Sequence, residues 1–163
     1  MTSTTSLAQN YKIVAASAGP VTTNGGITCD YVSLKNAHKA WIVATFDQAV
    51  GHATGIDPQQ ATAVDGTAVK VLSTAVPIWA NEDVGASDAL VAQTSATTYN
   101  VSADIKVKHV IFEIDPASLD NNNGFDCLGC TVDDSSQATN LISVNYWLEM
   151  RYEGASLPSA IID

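Results

Sequence analysis

The sequence predicts an all-β protein: an antiparallel β-sandwich or jelly roll in a single domain, with an extended N-terminal arm. Three observations carry this. Short apolar and β-branched runs alternate with turn residues along most of the 163 residues, the pattern of a sandwich or jelly roll. The last run alternates cleanly. Ile142, Val144, Tyr146, Leu148, Met150 and Tyr152 share one face, and Ser143, Asn145, Trp147, Glu149 and Arg151 the other. No stretch of a dozen residues carries a helical period with caps, and no solenoid repeat is present.

Taken in order, residues 1–26 read as the arm, rich in Thr, Ser, Ala and Gly, with Gly19-Pro20 and Asn24-Gly25-Gly26 as turn points and Tyr11 to Ala16 as a short strand. Residues 27–156 form the sandwich domain and 157–163 an apolar C-terminal tail. Cys29 to Leu34 precedes an Asn-Ala-His turn, and Ala40 to Phe46 follows it. That strand is apolar on both faces (Trp41 and Val43 on one, Ile42, Ala44 and Phe46 on the other), which predicts burial from two sides. Gln60 to Val64 and Ala68 to Leu72 flank Asp65-Gly66, a hairpin signal. Pro77 to Trp79 and Ala89 to Gln93 are weaker strands. Val107 to Ile114 is a strong one and runs into Asp115-Pro116, which predicts a helical turn with Asp115 as N-cap. A strand from Phe125 to Val132 follows the Asn121-Asn122-Asn123-Gly124 loop.

Composition narrows the function. Hydrophobic residues make up 46% and charged residues only 15%, against about 25% charged in ordinary domains. Interface cores are similarly depleted in charge. The formal net charge is −10, with Arg151 the one arginine and six lysines scattered from Lys12 to Lys108. Phosphate neutralisation needs clustered basic residues, so no nucleic-acid partner is expected. No apolar run approaches the ~18 residues that span a bilayer, so no membrane partner is expected either. Met1 to Asn10 carries neither a basic nor an apolar leader segment, and synthesis in a cytoplasm is the expectation.

Cys29, Cys127 and Cys130 are candidates for a disulfide, although an odd number made in a reducing compartment favours buried free thiols. Cys127-Leu128-Gly129-Cys130 has redox or zinc-knuckle spacing but sits in a strand-like run, and a structural zinc needs four ligands. The segment from Asp120 to Asp126 is oxygen-rich. Placing Gly124 at the obligatory glycine of a calcium loop puts Leu119 at the first ligand position and Cys130 where a bidentate Glu belongs. A looser site on Asp120 and Asp126 competes with an Asn-rich turn bonded to its own backbone. His38, His52 and His109 are scattered, and no Gly-x-Ser-x-Gly elbow occurs. Glu82-Asp83 and Asp133-Asp134 lie in expected loops, and a glycosidase would set two carboxyls across an aromatic-lined cleft. No catalytic residue, cofactor or metal is expected. Trp147, opposite the apolar face of its strand, is read as an interface anchor ahead of a core residue or a ligand platform.

Several segments resemble small virion structural proteins of tailed bacteriophages. They are Tyr31-Val32-Ser33-Leu34-Lys35-Asn36-Ala37-His38-Lys39-Ala40, the stretch from Gln59 to Thr67, Glu113-Ile114-Asp115 with Leu119-Asp120, and Gly124-Phe125-Asp126-Cys127. The likeness runs from about residue 28 to residue 163. It implies a virion component without catalytic residues and leaves head, neck and tail open. The first expectation is a head decoration or cement subunit, built as a trimer or other homo-oligomer against itself and major capsid or other virion proteins. Trp147, Trp79, Tyr11, Leu157, Ile161 and Ile162 are the interface candidates. The alternatives are a neck, collar or tail-fibre-attachment subunit and, in another class, a carbohydrate-binding module with exposed aromatics on one face.

Overall fold

The computed structural model describes residues 6–162. Residues 1–5 of the expected arm and Asp163 of the tail lie outside the described residues. One helical turn, α1 (Leu7–Asn10), is followed by thirteen strands among the described residues. In chain order these are β1 (Tyr11–Ala15), β2 (Val21–Thr22), β3 (Ile27–Thr28), β4 (Val32–Ser33), β5 (Ala37–Asp47), β6 (Thr54–Ala61), β7 (Lys70–Val71), β8 (Val76–Asn81), β9 (Val91–Ala96), β10 (Tyr99–Val101), β11 (Val107–Ile114), β12 (Cys127–Val132) and β13 (Leu141–Met150).

They form two antiparallel sheets packed as a sandwich. The larger runs β1-β13-β5-β11-β8-β9, with β2 also on β13. The smaller runs β10-β6-β12-β3, with β4 on β12 and β7 on β6. Because a strand's side chains alternate, β5, β11 and β13 each send one set inward. Ile42, Ala44, Phe46, Val110, Phe112, Ile114, Val144, Tyr146 and Leu148 are all buried, and they meet Leu128, Cys130, Val132 and Ile56 of the smaller sheet in one core. The face assigned to Ile142 through Met150 is the buried one, while Tyr152 lies past the strand and is exposed.

Several expectations are revised. Within its described part, the expected arm is laid on this chain's own sheet: Tyr11 to Ala15 pair with Glu149 to Asn145, and Val21–Thr22 with Ile142–Leu141. The tail also folds back. Leu157 packs on the core, Ala160 is buried, and its carbonyl accepts from the Ser33 N–H at 2.7 Å. Two-sided burial falls on β6 and β12 rather than on β5. The outer face of β12 is closed by Tyr31, whose ring lies over Gly129 beside Cys127 and Ala61.

The Asp65-Gly66 turn is present, with Gly66 at φ 79°, but its strands are the end of β6 and the two-residue β7. β6 contains Gly55, Asp57 and Pro58, residues that strands disfavour. Pro58 is accommodated by register. It lies opposite Cys130, whose carbonyl bonds across to Cys29 on the other side. Backbone groups of one residue in an antiparallel ladder point the same way, so no donor is needed from Pro58 toward β12. Asp115 caps the helical turn as expected, accepting from the Ala117 N–H at 2.8 Å.

Candidate functional site

The outer face of the larger sheet is where the structure concentrates exposed aromatic surface. It follows from the alternation that buries the core: with Ile42, Phe112 and Tyr146 inward, Trp41, Glu113 and Trp147 must point outward. Register then assembles the site. Trp147 pairs with Ile13 on one side and Trp41 on the other, Trp41 pairs with Glu113, and in the next row Ile111 lies between Val43 and Trp79. Tyr11, Trp41, Val43, Ile111 and Trp147 line an open groove of about 360 Å³.

Polar contacts hold the aromatics in place. The Tyr11 and Trp41 ring centroids are 6.2 Å apart and tilted by 45°, within the distance range of interacting aromatic pairs. The Lys39 ammonium lies 5.3 Å from the Trp41 ring centroid and donates to Glu113 Oε2 at 2.6 Å. The other carboxylate oxygen accepts from Trp79 Nε1 at 2.9 Å. Rings with fixed rotamers lose little further entropy when covered, which suits them to anchor a contact.

Of the sequence-predicted interface residues, Tyr11 and Trp147 share this groove, and Trp79, 37% exposed, joins it through Glu113. Leu157 lines an adjoining hollow that shares Tyr11, beside Leu7, Lys12 and Ile13, with the Lys12 ammonium bonded to its carbonyl at 3.1 Å. Ile161 and Ile162 are exposed at the end of the tail. Sequence reading placed Trp41, Val43 and Ile111 in strands but not in the site. The parity of β5 and β11 puts them on the outer face, yet only register brings them beside Trp147.

The three cysteines are free and buried. Cys127 and Cys130 point to opposite faces of β12, Cys130 into the core and Cys127 outward under Tyr31, so the apparent Cys-x-x-Cys unit never faces one ligand. The β3–β12 register carried one residue further sets Cys29 opposite Cys130, and the Cys29 N–H donates to the Cys130 carbonyl at 2.9 Å. The hydrogen bond with the Cys29 thiol, and burial after it, push the Cys130 thiol well up, which leaves it a poor nucleophile. Any intrachain bridge is therefore expected to join Cys29 to Cys130. Peptide mapping under non-reducing conditions should find that linkage or three thiols, and never a bridge to Cys127.

The oxygen-rich loop holds its carboxylates against cations of this chain. Asp120 bonds the Lys70 ammonium and Asn123 Nδ2, which hold its carboxyl below the usual value. Asp126 lies 3.6 Å from Lys35. Among the described residues no three His, Cys, Asp or Glu side chains gather to hold a metal. His109 and His52 each face a threonine, Thr45 Oγ1 at 3.0 Å and Thr54 Oγ1 at 3.4 Å.

One cluster went unread in the sequence. Lys108 points into the sandwich from β11 and is fully buried. Its ammonium bonds Gln48 Oε1, the Ser102 carbonyl at 2.5 Å and Ser102 Oγ at 3.0 Å, with Glu82 Oε2 at 3.5 Å. Glu82 in turn accepts from Tyr99 OH at 2.7 Å and from the Ser102 N–H at 3.1 Å. Burial lowers the Lys108 pKa, opposed by the Glu82 charge. All members have partners, as a brace across the end of the sandwich requires.

Fold and site together define a single-domain antiparallel β-sandwich with one sheet face covered from within and the other presenting aromatic side chains. Neither a protein-family model nor a curated protein sequence matches the chain. Among solved structures, the SPBc2 prophage-derived protein YomS is similar with a TM-score of 0.47 and 8% identity, over 85% of this chain and 92% of that one. Structures of infectious bursal disease virus, Gx and Gt strains, give TM-scores of 0.21 and 0.20 at 9% and 11% identity. They cover 95% and 91% of this chain but 42% and 35% of theirs. The fold assignment rests on the two sheets themselves.

Proposed function

We propose that this chain is a non-enzymatic virion structural protein of a tailed bacteriophage, a decoration or cement subunit that stabilises the head by packing against copies of itself and the major capsid or other virion proteins. The observation that carries this is the outer face of the larger sheet, where Tyr11, Trp41 and Trp147 wall an apolar groove flanked by Ile13, Val43, Ile111 and Trp79. A low charged fraction and the resemblance of the segments from Tyr31 to Cys127 to phage virion proteins support the same reading. Its chemistry is contact: apolar area leaves water when a neighbour covers the face, and many copies then act together. The same surface serves a neck, collar or fibre-attachment subunit, and copy number per particle separates these. Hundreds indicate the shell, a dozen or fewer the neck or tail.

Buried tryptophans dominate binding energy at such surfaces, at about 2 kcal/mol or more each, roughly 30-fold in affinity. Trp147→Ala is therefore expected to lose incorporation into particles while keeping its melting temperature within a few degrees. Unchanged incorporation would end the assignment of this face. The groove also favours a second reading, a carbohydrate-binding module, since outward-facing aromatic rings can pack on sugar rings. Loss of glycan binding in Trp147→Ala, measured by calorimetry with full particle incorporation, would select that reading.

A further inference from the structure

We infer that Lys108 and Gln48 join in a side-chain amide bond, formed by the folded chain itself with Glu82 as proton carrier and ammonia as the other product. The inference goes beyond the packing role and does not depend on it. The charged cluster at this end of the sandwich is the state in which the chain folds and from which the bond forms.

Register makes the two side chains neighbours. Lys108 stands opposite Phe46 in the β5–β11 pairing, and Gln48, two residues further on and on the same inward side, is its diagonal partner. Just past the end of β5, the Gln48 N–H donates to the Lys106 carbonyl at 3.3 Å. Gln48 is 3% exposed and Lys108 is fully buried, so water is kept from the pair. The carboxamide has one orientation open to it, because Oε1 accepts from the Lys108 ammonium while Nε2 donates to the His52 carbonyl. Nζ is thus in contact with Oε1, and the Gln48 carbonyl carbon Cδ is one C=O bond, about 1.2 Å, from that oxygen. An amine held against an amide in this way reacts as though present at on the order of 10⁵ M or more.

The partners of Lys108 also favour the amine that must attack. Its near contacts are the neutral oxygens of Gln48 and Ser102, and the Glu82 carboxylate stands off at 3.5 Å. Burial accordingly lowers the Lys108 pKa. Glu82 Oε2 takes a proton from the ammonium, and the freed Nζ lone pair forms a C–N bond to Gln48 Cδ as the carbonyl pair moves to Oε1. Glu82 passes its proton to Nε2 and takes one from Nζ. Return of the Oε1 pair breaks the Cδ–Nε2 bond, and the departing ammonia leaves with the Glu82 proton as ammonium. Glu82 ends as the carboxylate it began as, and no oxidant or cofactor enters. The product ties β5 to β11 and closes the segment holding β6 to β10 into a ring, which restricts the unfolded chain.

Mass spectrometry of the purified full chain tests this. The wild type should be lighter than its sequence by one ammonia. Trypsin should fail to cut after Lys108 and should release a branched peptide joining residues 40–70 to residues 107–151. Lys108→Arg, which keeps the charge and removes the amine, should have full mass, and Glu82→Gln should form the bond at least about a hundredfold more slowly. A wild type of full mass in both fresh and aged protein would overturn the inference. So would ammonia lost at Asn24-Gly25 with cleavage after Lys108 intact, or ammonia still lost between 40 and 70 in Lys108→Arg. An unchanged rate in Glu82→Gln would overturn Glu82 as the proton carrier.

Discussion

Lys108→Ala is expected to lower the unfolding free energy by about 3–5 kcal/mol, the usual cost of removing one partner of a buried ion pair. The substitution removes the ammonium that Gln48, Ser102 and Glu82 share, and it leaves a void in a position with no solvent access. Glu82 is one-third exposed, so water partly rescues its carboxylate and the loss should fall toward the lower figure. The control is a paired change. Lys108→Met with Glu82→Gln keeps the volume of the stem and removes both charges, and it should recover most of the loss, since a well-packed apolar replacement often matches a buried pair. Chemical denaturation of the single and double variants measures the coupling directly. Additive losses would show that Lys108 and Glu82 do not act as a unit.

Gly129→Ala is expected to destabilise by about 1–3 kcal/mol, the range for overpacking a filled site, and larger residues there should prevent folding. A Cβ on Gly129 would run into the Tyr31 ring at Cδ1 and Cε1. The ring is 7% exposed and closes the outer face of β12 together with Ala61 and Cys127, so it has little room to withdraw. The compensating variant is Tyr31→Leu. Alone it should destabilise by loss of burial, but combined with Gly129→Ala it should cost less than the sum of the two. Thermal melts of the four proteins decide the matter. Simple additivity would mean that Tyr31 is not held against Gly129.

The prediction for Trp147 depends on the same division of the molecule into a closed sheet face and an open one. The small sheet is covered by Tyr31 and the turns around it, and the tail covers its edge. Among the described residues the large sheet has no such lid, and its outward side chains are tied to one another, Trp79 to Glu113 and Glu113 to Lys39.

Local pattern determined a good deal of this protein. Alternation in Ile142 to Met150 and in Val107 to Ile114 states which side chains are buried, because backbone geometry alone sends neighbours to opposite faces. Asp115-Pro116 and Asp65-Gly66 announce a cap and a turn through their own side-chain and φ preferences. β6 escaped notice because Gly55, Asp57 and Pro58 disfavour strands locally, and only the pairing with β12 on one side makes them tolerable. The tertiary structure alone decided register: that Trp41 stands beside Trp147, that Cys29 meets Cys130 and not Cys127, that Lys108 finds partners at 48, 82 and 102. Alternation is written residue by residue along the chain, whereas register is set by the whole core closing at once, and no single segment contains it.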